Sequence, residues 1–497
     1  MDYLSFALCI LTVCAALHLL WPAKKVGLSK LPPGPPIITI LRNLLTLGTN
    51  PHVTFANLAR DYGPLIALRG PTTTVIVSSA AVAKEVLQKN DLSFSNRSII
   101  DSVRADNYHH NSVIWLPVSP KWRNLRKMCN THVFSSARLD ATQNLRRNQV
   151  QNLISYLKKC SEDGIAVDIR QAAFNTMVNL LSTILFSVDL DELFPNSKVS
   201  SDFKDALRGI LDEAGKPNLS DFFPILRKMD PQGIRRRTGA RFQKIIDLFN
   251  TVIKRRLEGE RPPGLEQGND FLDALLGNSQ EKTPDIESSN IPYLFLDLFS
   301  AGTDTISSTV EWAMAELLHN PEKLTRAKAE MNKIIGKGNP FQESHIGELP
   351  YLQGVLKETF RLHPSAPFLV PREADKNVEL LGFTVPKNAQ ILVNAWEIGR
   401  DPEIWERPNW FEPERFLGSG VEVKGCDFEL IPFGSGRRMC VGMPLAIRMV
   451  HLMVGSLVHG FEWKLEGGVL GEKMNMEEKL SFALQKAQPL RVFPLRI

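Results

Sequence analysis

One stretch near the C-terminus, Pro432–Gly442, constrains this chain more than any other. It holds a single thiol, Cys440, together with three glycines and two adjacent arginines. Glycines permit positive φ angles and leave N–H groups free to point at a nearby sulfur. Hydrogen bonds and positive charge favour a thiolate, so the stretch predicts a lowered pKa for Cys440 and a role as metal ligand. The apolar run from Met443 to His459 predicts a helix, whose N-terminus would lie near the sulfur.

A lone cysteine is more often a small buried hydrophobic residue without chemistry. The spacing around Cys440 favours a ligand instead, because residues 433–442 fill every fixed position of Phe-x-x-Gly-x-Arg-x-Cys-x-Gly. This pattern resembles the haem-binding signature of the cytochrome P450 family. The resemblance implies haem b (iron protoporphyrin IX) with Cys440 as its thiolate ligand, Arg438 at a propionate and Phe433 beside the sulfur. Gly442 completes the set of cofactor-binding positions in this loop.

Composition narrows the possible functions. The 497 residues are 43% hydrophobic, which is enough for a large core. A net charge of +5 is too small to indicate nucleic acid, but it is compatible with an anionic membrane or an acidic protein partner. The six cysteines lack a pairing framework, as is typical of a reducing compartment.

A nearly continuous apolar stretch runs from Tyr3 to Trp21, about the ~20 residues that cross a bilayer. A cleaved signal peptide is the alternative, but signal peptides carry positive charge before the apolar run, whereas Lys24 and Lys25 follow it. The predicted domains are a transmembrane anchor over 1–22, a basic and proline-rich hinge over 23–36, and a cytosolic haem-thiolate catalytic domain over 37–497. The microsomal layout implies single-pass insertion in the endoplasmic reticulum membrane, with lipid as a partner.

Periodicity predicts a mainly α chain with a small β-rich region. Strand-like runs cover 65–68 and 73–77, and helical patterns cover 79–88, 137–160, 168–187, 200–214 and 237–257. Residues 94–120 show no clear periodicity, and the resemblance implies that the first substrate-contacting segment lies there. The implied architecture is the cytochrome P450 fold, with a long central helix over the haem.

Trp122 and Arg126 are spaced to share one face of a helix. A surface arginine lying over a tryptophan is one interpretation. The match to the family's Trp-x-x-x-Arg implies instead that both residues contact a haem propionate.

A predicted helix over about 288–319 contains the run Ala301–Thr305. Glycine costs about 1 kcal/mol relative to alanine inside a helix, and threonine is also a poor helix former. A structural kink is one explanation for these residues. The resemblance implies a catalytic run beginning at Ala301, in which Gly302 lets the helix lie against the haem face. Thr305 would present a hydroxyl to dioxygen, and Asp304 would supply protons from outside.

Glu358 and Arg361 are three residues apart on a predicted helix over 349–362, and an isolated pair of this kind is worth only ~0.5 kcal/mol. The match to the family's Glu-x-x-Arg implies a buried ion network with Arg415, which serves folding and haem retention. In the segment that follows, Leu369 and Val370 would face substrate. Arg372 would meet a propionate.

The resemblance covers the whole chain and extends to the plant geraniol 8-hydroxylase group, through segments such as 213–218, 230–233 and 394–396. It implies a monooxygenase that hydroxylates a small hydrophobic plant metabolite, a monoterpenoid alcohol such as geraniol, with O2 and electrons from NADPH. No Gly-rich dinucleotide fingerprint follows a strand, so the expected partner is an NADPH-cytochrome P450 reductase that docks near Arg437.

Other functions remain open on sequence alone. The substrate could be another terpenoid, a phenolic or an alkaloid. A haem-thiolate isomerase or dehydratase needs no O2, although such enzymes tend to lose the acid and alcohol pair that this chain keeps. A haem sensor or membrane haem carrier would have no use for a proton relay.

Overall fold

The structure is a computed structural model that describes residues 31–36, 50–194, 197–261, 270–280 and 288–496. The anchor predicted over 1–22 lies outside the described residues, as does most of the hinge. The last hinge residues lie against the protein body, where the Pro33 carbonyl accepts a hydrogen bond from the Ala67 N–H at 2.8 Å. A Cβ atom at Gly34 would fall 2.2 Å from the Ala67 carbonyl oxygen, so only glycine fits there.

Helices dominate the described part of the chain. In chain order they are α1 (Pro51–Tyr62), α2 (Ala80–Lys84), α3 (Pro120–Cys129), α4 (Ser136–Ala141), α5 (Gln143–Asp163), α6 (Ile169–Phe186), α7 (Leu190–Leu193), α8 (Ser197–Ala214), α9 (Leu219–Phe222), α10 (Ile234–Leu257), α11 (Phe271–Gln280), α12 (Ile291–His319), α13 (Pro321–Ile335), α14 (Pro350–Leu362), α15 (Ala395–Ile398) and α16 (Met443–Gly460). Short 3₁₀ helices cover Asp91–Phe94, Asp101–His110, Pro224–Lys228, Ser288–Asn290, Glu343–Glu348, Pro413–Phe416, Gly436–Arg438, Glu466–Gly468 and Gly471–Lys473, and π-helical turns cover Glu85–Lys89 and Asn130–Phe134.

The strands are short and form four small sheets. They are β1 (Leu65–Leu68), β2 (Thr74–Val77), β3 (Asn96–Arg97), β4 (Val167–Asp168), β5 (Arg372–Glu373), β6 (Val378–Leu380), β7 (Phe383–Val385), β8 (Gln390–Val393), β9 (Phe461–Leu465), β10 (Glu478–Leu480), β11 (Leu484–Lys486) and β12 (Arg491–Arg496). The largest sheet has the order β1-β2-β8-β5-β3, with β2 and β8 parallel and Thr74 opposite Gln390. A second has the order β4-β12-β9, and β6-β7 and β10-β11 are hairpins.

Local sequence explains where several helices begin. The Ser119 hydroxyl caps α3 by accepting the Trp122 N–H at 3.2 Å, and Pro120 occupies the first turn. The Asp168 carboxylate caps α6 in the same way by accepting the Gln171 N–H at 2.9 Å. These caps fix the start of two helices that carry residues of the candidate site.

The central helix α12 is buried on almost every side and packs against α6, α10, α14 and α16. Phe295 and Phe299 project from it into an aromatic cluster with Phe186 and Phe249. The helix continues without a break through Ala301–Thr305. This helix and its neighbours form the larger hydrophobic core, and the five-stranded sheet has a smaller core of its own.

The predicted mainly α fold with a small β-rich region is confirmed. Both predicted strands are present as β1 and β2, and the helical patterns over 168–187, 200–214 and 237–257 are α6, α8 and α10. The pattern over 137–160 is two helices, because the chain turns at Thr142. The loop predicted over 94–120 contains β3 and the 3₁₀ helix Asp101–His110, which bends at two residues with positive φ.

Among the described residues, one helix is long and apolar enough to cross a membrane. It is α16, with a mean hydropathy of 1.2. It is 67% buried inside the protein and packs against α12, α14 and α5, so in this structure it is a core helix.

Candidate active site

The Cys440 loop is a compact turn in which the Cys440 N–H donates to the Phe433 carbonyl at 3.0 Å. Gly434 and Gly436 have φ of 68° and 72°, which other residues rarely adopt. A Cβ atom at Gly436 would lie 2.2 Å from the Leu87 carbonyl oxygen. Gly434 and Gly436 are therefore required by backbone shape, and Gly436 also by close packing. The Phe433 ring packs edge-on against Phe360, with centroids 5.3 Å apart.

The Cys440 side chain is exposed within the fold and lies just before α16, which Gly442 caps. The expectation of a lowered pKa is wrong. Although the surface of the sulfur is accessible, the protein atoms packed around it desolvate the thiolate. This desolvation raises the pKa of Cys440 and outweighs the opposing effect of the Gly442 and Met443 amides and of Arg126. Because coordination deprotonates a thiol outright, the thiolate form depends on a metal.

Helix α3 brings Trp122 and Arg126 to the same side of the Cys440 loop, with the Arg126 guanidinium 5.6 Å from the Trp122 ring centroid. Arg126 donates from Nη2 to the Met439 carbonyl, which ties α3 to the loop. The Trp122 indole N–H donates to the Val113 carbonyl at 3.0 Å. Any contact of Trp122 with a propionate would therefore have to share that N–H or use the ring.

Four arginines converge beside this loop: Arg97, Arg126, Arg372 and Arg438. Burial, followed by repulsion from Arg372 and Arg126, lowers the pKa of Arg438 to about 9. Burial and the same neighbours lower the pKa of Arg97 well below its usual value. The Arg438 guanidinium lies 4.5 Å from the Trp122 ring centroid, and its Nη1 is buried without a hydrogen-bond partner in the described part of the chain. The cluster is suited to bind anions.

Arg372 already has protein partners, because it donates to Asp91 at 3.0 Å and to the Ser435 carbonyl at 2.9 Å. Asp91 also accepts from the Arg437 side chain at 2.9 Å. Sequence reasoning missed both Arg97 and Asp91. Neither belongs to a local motif, and each acquires its role from residues that lie far away along the chain.

On α12, Ala301 is exposed and Thr305 is half-buried, whereas most of the helix is buried. The Thr305 hydroxyl donates to the Ala301 carbonyl at 2.7 Å, which leaves its lone pairs able to accept. Gly302 also packs against a neighbouring helix, in addition to the haem face that is expected for it. A Cβ atom there would lie 3.2 Å from a methyl carbon of Leu181, so the missing side chain permits close packing of α12 against α6.

Asp304 is buried and forms an ion pair with Arg170 of α6, which also contacts Gln485. The Arg170 side chain is 28% exposed, whereas that of Asp304 is 5% exposed. The carboxylate is therefore connected to solvent through a partly exposed arginine.

Leu369 has a φ of 53°, a strained value for a non-glycine residue, and its methyl group lies near Gly434 of the Cys440 loop. The Val370 carbonyl accepts from Arg97 at 2.7 Å. Leu369 therefore lies beside the Cys440 loop and Val370 beside the arginine cluster, and their expected contact with substrate stays a prediction.

Glu358 and Arg361 form a buried bidentate pair, with N–O distances of 2.6 and 2.7 Å. Arg415 donates to the same carboxylate at 3.0 Å, as does the Glu412 N–H at 2.8 Å. The remaining donors of Arg361 reach the carbonyls of Gly399, Pro408 and Trp410. Every charged group in this network has an oppositely charged or hydrogen-bonding partner. The network is separate from the Ala301–Thr305 run of α12.

The site fits the expected haem on three counts. An exposed thiol stands beside helix-terminal amides, an arginine cluster with an unpartnered N–H suits propionates, and α12 exposes only small or hydroxyl-bearing residues at 301 and 305. Within the described ranges, no group of three or more His, Cys, Asp or Glu side chains could hold a metal ion. Cys440 would hold the iron, and Arg97, Arg126 and Arg438 offer donors to the propionates.

Comparison with known proteins agrees with this geometry. A family profile described as Cytochrome P450 matches residues 32–491. Drimenol monooxygenase of Persicaria hydropiper is 50% identical over 100% of this chain and 98% of the relative, and geraniol 8-hydroxylase of Catharanthus roseus is 49% identical over 99% of each. A zebrafish cytochrome P450 solved with progesterone has a TM-score of 0.75 and 26% identity, and the match covers 90% of this chain and 99% of that chain. The chain therefore belongs to the cytochrome P450 family, whose cofactor is haem held by a cysteine thiolate.

Proposed function

We propose that this monooxygenase hydroxylates a small hydrophobic terpenoid, in the first place a monoterpenoid alcohol such as geraniol. The observation that carries the proposal is the near full-length identity of about one half to drimenol monooxygenase and to geraniol 8-hydroxylases of two plants. The substrates that these relatives are named for, drimenol and geraniol, are both terpenoid alcohols, so the shared chemistry is insertion of oxygen into a compact apolar skeleton.

The site geometry supports an apolar substrate. Ile114 and Val370 belong to separate segments, and the carbonyls of both accept from Arg97, at 3.2 and 2.7 Å. The two side chains are only partly buried. With Leu369 they supply branched apolar surface next to the Cys440 loop, which would be desolvated by a terpenoid skeleton.

The haem held by Cys440 supplies the centre at which O2 is reduced and one oxygen atom passes to the substrate. The overall reaction is RH + O2 + NADPH + H⁺ → ROH + H2O + NADP⁺. Residues of α12 would transfer the protons. The Thr305 hydroxyl can rotate away from the Ala301 carbonyl and donate toward the pocket, and Asp304 can receive solvent protons when Arg170 moves aside.

Electrons would come from an NADPH-cytochrome P450 reductase, and an N-terminal anchor in the endoplasmic reticulum membrane would hold both proteins on one surface. The chain belongs to a family whose monooxygenases need a redox partner, O2 and a hydrophobic substrate.

Turnover in microsomes that contain the full chain and a plant reductase tests the proposal. We expect NADPH-dependent formation of a hydroxylated product from geraniol, from drimenol or from both, and mass spectrometry would locate the added oxygen. Labelling with ¹⁸O2 should place the label in the product. A product that forms without NADPH and O2 would support the isomerase or dehydratase alternative, and a spectral response to terpenoids without turnover would support a sensor.

A further inference from the structure

A buried carboxylate on α12 has no part in the mechanism above. Asp297 lies on α12 and is 1% exposed. It precedes Ala301 by four residues and Thr305 by eight, so the three residues lie on one face of the helix. A carboxylate buried at this position needs several hydrogen-bond donors to be tolerated.

Donors to Asp297 come from one stretch of the chain, residues 108–114, which we call the roof segment. The Tyr108 hydroxyl and the Ser112 hydroxyl both donate to Oδ1, the latter at 2.6 Å. The Val113 N–H donates to Oδ2 at 2.7 Å. The roof segment lies outside regular sheet and α-helix, so it lacks the regular hydrogen bonds of those structures. Asp297 supplies an acceptor that a neighbouring strand would otherwise provide.

The carbonyl groups of the same stretch accept hydrogen bonds from Trp122 and from the arginine cluster. Carbonyls of Val113 and Ile114 accept from the Trp122 indole at 3.0 Å and from Arg97 at 3.2 Å. Two residues further on, the Leu116 carbonyl accepts from Arg438. The backbone is therefore clamped, with its N–H groups and hydroxyls on α12 and its carbonyls on the arginine cluster.

The electrostatics agree with a clamp made of hydrogen bonds. Burial raises the pKa of Asp297 to about 7, while the hydroxyls of Ser112 and Tyr108 and the amides of Val113 and Ile114 act in the opposite direction. Burial, helped by Asp297, raises the pKa of Tyr108 well above its usual value, so its hydroxyl stays a donor. Loss of the carboxylate would leave several buried donors unpaired at once.

We propose that Asp297 is a substrate-positioning residue, because its carboxylate holds the roof segment against α12 and thereby fixes the orientation of Ile114 in the pocket. The proposal rests on the proposed function, since it concerns how an apolar substrate is oriented for hydroxylation. Asp297 acts through the roof segment and is not itself catalytic. It determines which carbon of the substrate faces the reacting centre.

The variant Asp297→Asn in the full-length holoenzyme tests this role, and Glu311→Gln is its matched control. Glu311 is a buried carboxylic acid on the same helix whose pKa burial also raises to about 7, but it accepts only from the Leu490 N–H among the hydrogen bonds found in the described chain. In Asp297→Asn we expect amide hydrogen exchange at Val113 and Ile114 to accelerate by at least about tenfold, with α14 unchanged. The control should leave the roof segment unchanged.

Pocket shape is read with two nitrogen ligands of the haem, 4-phenylimidazole and imidazole. Asp297→Asn should weaken 4-phenylimidazole by about tenfold and leave imidazole unchanged, because only the larger ligand contacts the pocket wall. With geraniol as probe, the variant should give a broader set of hydroxylated products at unchanged haem content. Unchanged exchange, or faster exchange with unchanged affinity for 4-phenylimidazole, would overturn the proposal.

Two further variants, Tyr108→Phe and Ser112→Ala, remove one donor each and keep the carboxylate. They should accelerate exchange of the roof segment by smaller factors, and they decide the question if Asp297→Asn does not retain haem. Failure of geraniol to bind the unmodified enzyme would count against the proposed substrate alone, since the exchange and imidazole measurements do not depend on it.

Discussion

At Cys440, opposing effects meet on one sulfur atom. Burial raises the pKa of the thiol, while the amides of Gly442 and Met443 and the Arg126 guanidinium lower it. These donors nevertheless matter, because they would stabilise the negative charge of a coordinated thiolate. The protein thus offers hydrogen-bond donors to a thiolate that forms only when Cys440 binds a metal.

Replacing Cys440 by Ser should abolish the red-shifted Soret band that marks a thiolate-ligated ferrous–CO complex, since a hydroxyl is a far poorer iron ligand. Difference spectroscopy on the purified protein measures this. The exposed Cys426 provides the matched control, and Cys426→Ser should keep the band. Full pigment and activity in Cys440→Ser would contradict the ligand assignment.

Thr305→Ala should lower product formed per NADPH consumed by about tenfold or more, with the excess electrons recovered as peroxide, because the hydroxyl that handles protons is gone. Thr305→Ser should restore most of the coupling. Thr303 makes the same kind of bond, from its hydroxyl to the Phe299 carbonyl, but it is fully buried. Unchanged coupling in Thr305→Ala, or an equal loss in Thr303→Ala, would refute the relay.

Residues in local motifs could be recognised from sequence, and residues defined by distant partners could not. Cys440, Thr305 and Glu358 each belong to a short pattern whose spacing indicates chemistry. Arg97 and Asp297 lie in stretches without a pattern, and their roles arise from partners on other elements. Even within a motif the packing partner of a residue is set by the fold, as at Gly302, where an added Cβ atom would meet Leu181.

Helix α14 carries a buried carboxylate, Glu358, that balances two arginines. Glu358 compensates Arg361 of its own helix and Arg415 of the Pro413–Phe416 turn. Glu358→Gln would leave the Arg361 guanidinium buried without a carboxylate and Arg415 with Glu412 alone, so we expect a loss of roughly 3–5 kcal/mol in the free energy of unfolding and poor haem retention. Thermal unfolding and haem absorbance per protein measure both effects.

Glu466→Gln is the comparison variant for that experiment. It removes an ion pair with Arg491 in which both side chains are exposed. Its thermal midpoint should match the unmodified protein. Equal stability of the Glu358 and Glu466 variants would show that the buried network contributes nothing special.

A second buried cluster joins α12, α14 and the β10-β11 hairpin. His363 stacks on Trp312 with centroids 3.8 Å apart, and its two ring nitrogens lie 2.7 Å from carboxylate oxygens of Glu316 and Glu478. Burial alone would lower the pKa of His363, but hydrogen bonds to the two carboxylates raise it. A protonated imidazole therefore bridges three elements.

This bridge predicts a pH dependence of stability. The contribution of charged His363 is complete below about pH 6.5, the ordinary pKa of histidine, and is lost as the pH rises through the raised pKa of the folded protein. The stability difference between the unmodified protein and His363→Phe should therefore shrink as the pH rises from about 6.5 through the raised pKa of the folded protein. Thermal midpoints across this range measure it, and His110→Phe, at an exposed histidine, should show no such trend. A constant difference would refute the charged bridge.

Element boundaries followed the sequence where a local signal such as a first-turn proline was present, and departed from it where tertiary contacts decided. The predicted helix over 349–362 is α14 within one residue at its start. The irregular appearance of 94–120 has a physical cause, because its backbone is satisfied by side chains of α12 and of the arginine cluster. Such bonding leaves no periodic trace in the sequence.

For the whole molecule, the electron supply yields a prediction about the surface around the Cys440 loop. Arg437 lies in the loop, and two further exposed basic residues, Lys127 and Lys424, are chain neighbours of Arg126 and Gly425, which contact it. NADPH alone should give no turnover, and the reductase should restore it in a salt-sensitive manner. The double variant Lys127→Glu with Lys424→Glu should slow reduction by the reductase several-fold at low salt.

Lys479→Glu, at an exposed lysine of strand β10, is the control for that variant and should leave reduction unchanged. Stopped-flow spectroscopy of haem reduction compares the three proteins at equal haem content. Equal rates in all of them would place the reductase elsewhere. Turnover with NADPH and no reductase would contradict the need for a partner.

The arginine cluster also bears on how the protein is made in a cell. Four guanidiniums converge where Asp91 is the one carboxylate in direct contact within the described structure, so like charges must approach one another as this corner of the newly synthesised chain compacts. A dianionic prosthetic group that arrives during folding would relieve this repulsion. Cofactor capture and compaction then become a single event in biogenesis, and the amount of enzyme that escapes degradation follows the rate at which the cell makes haem.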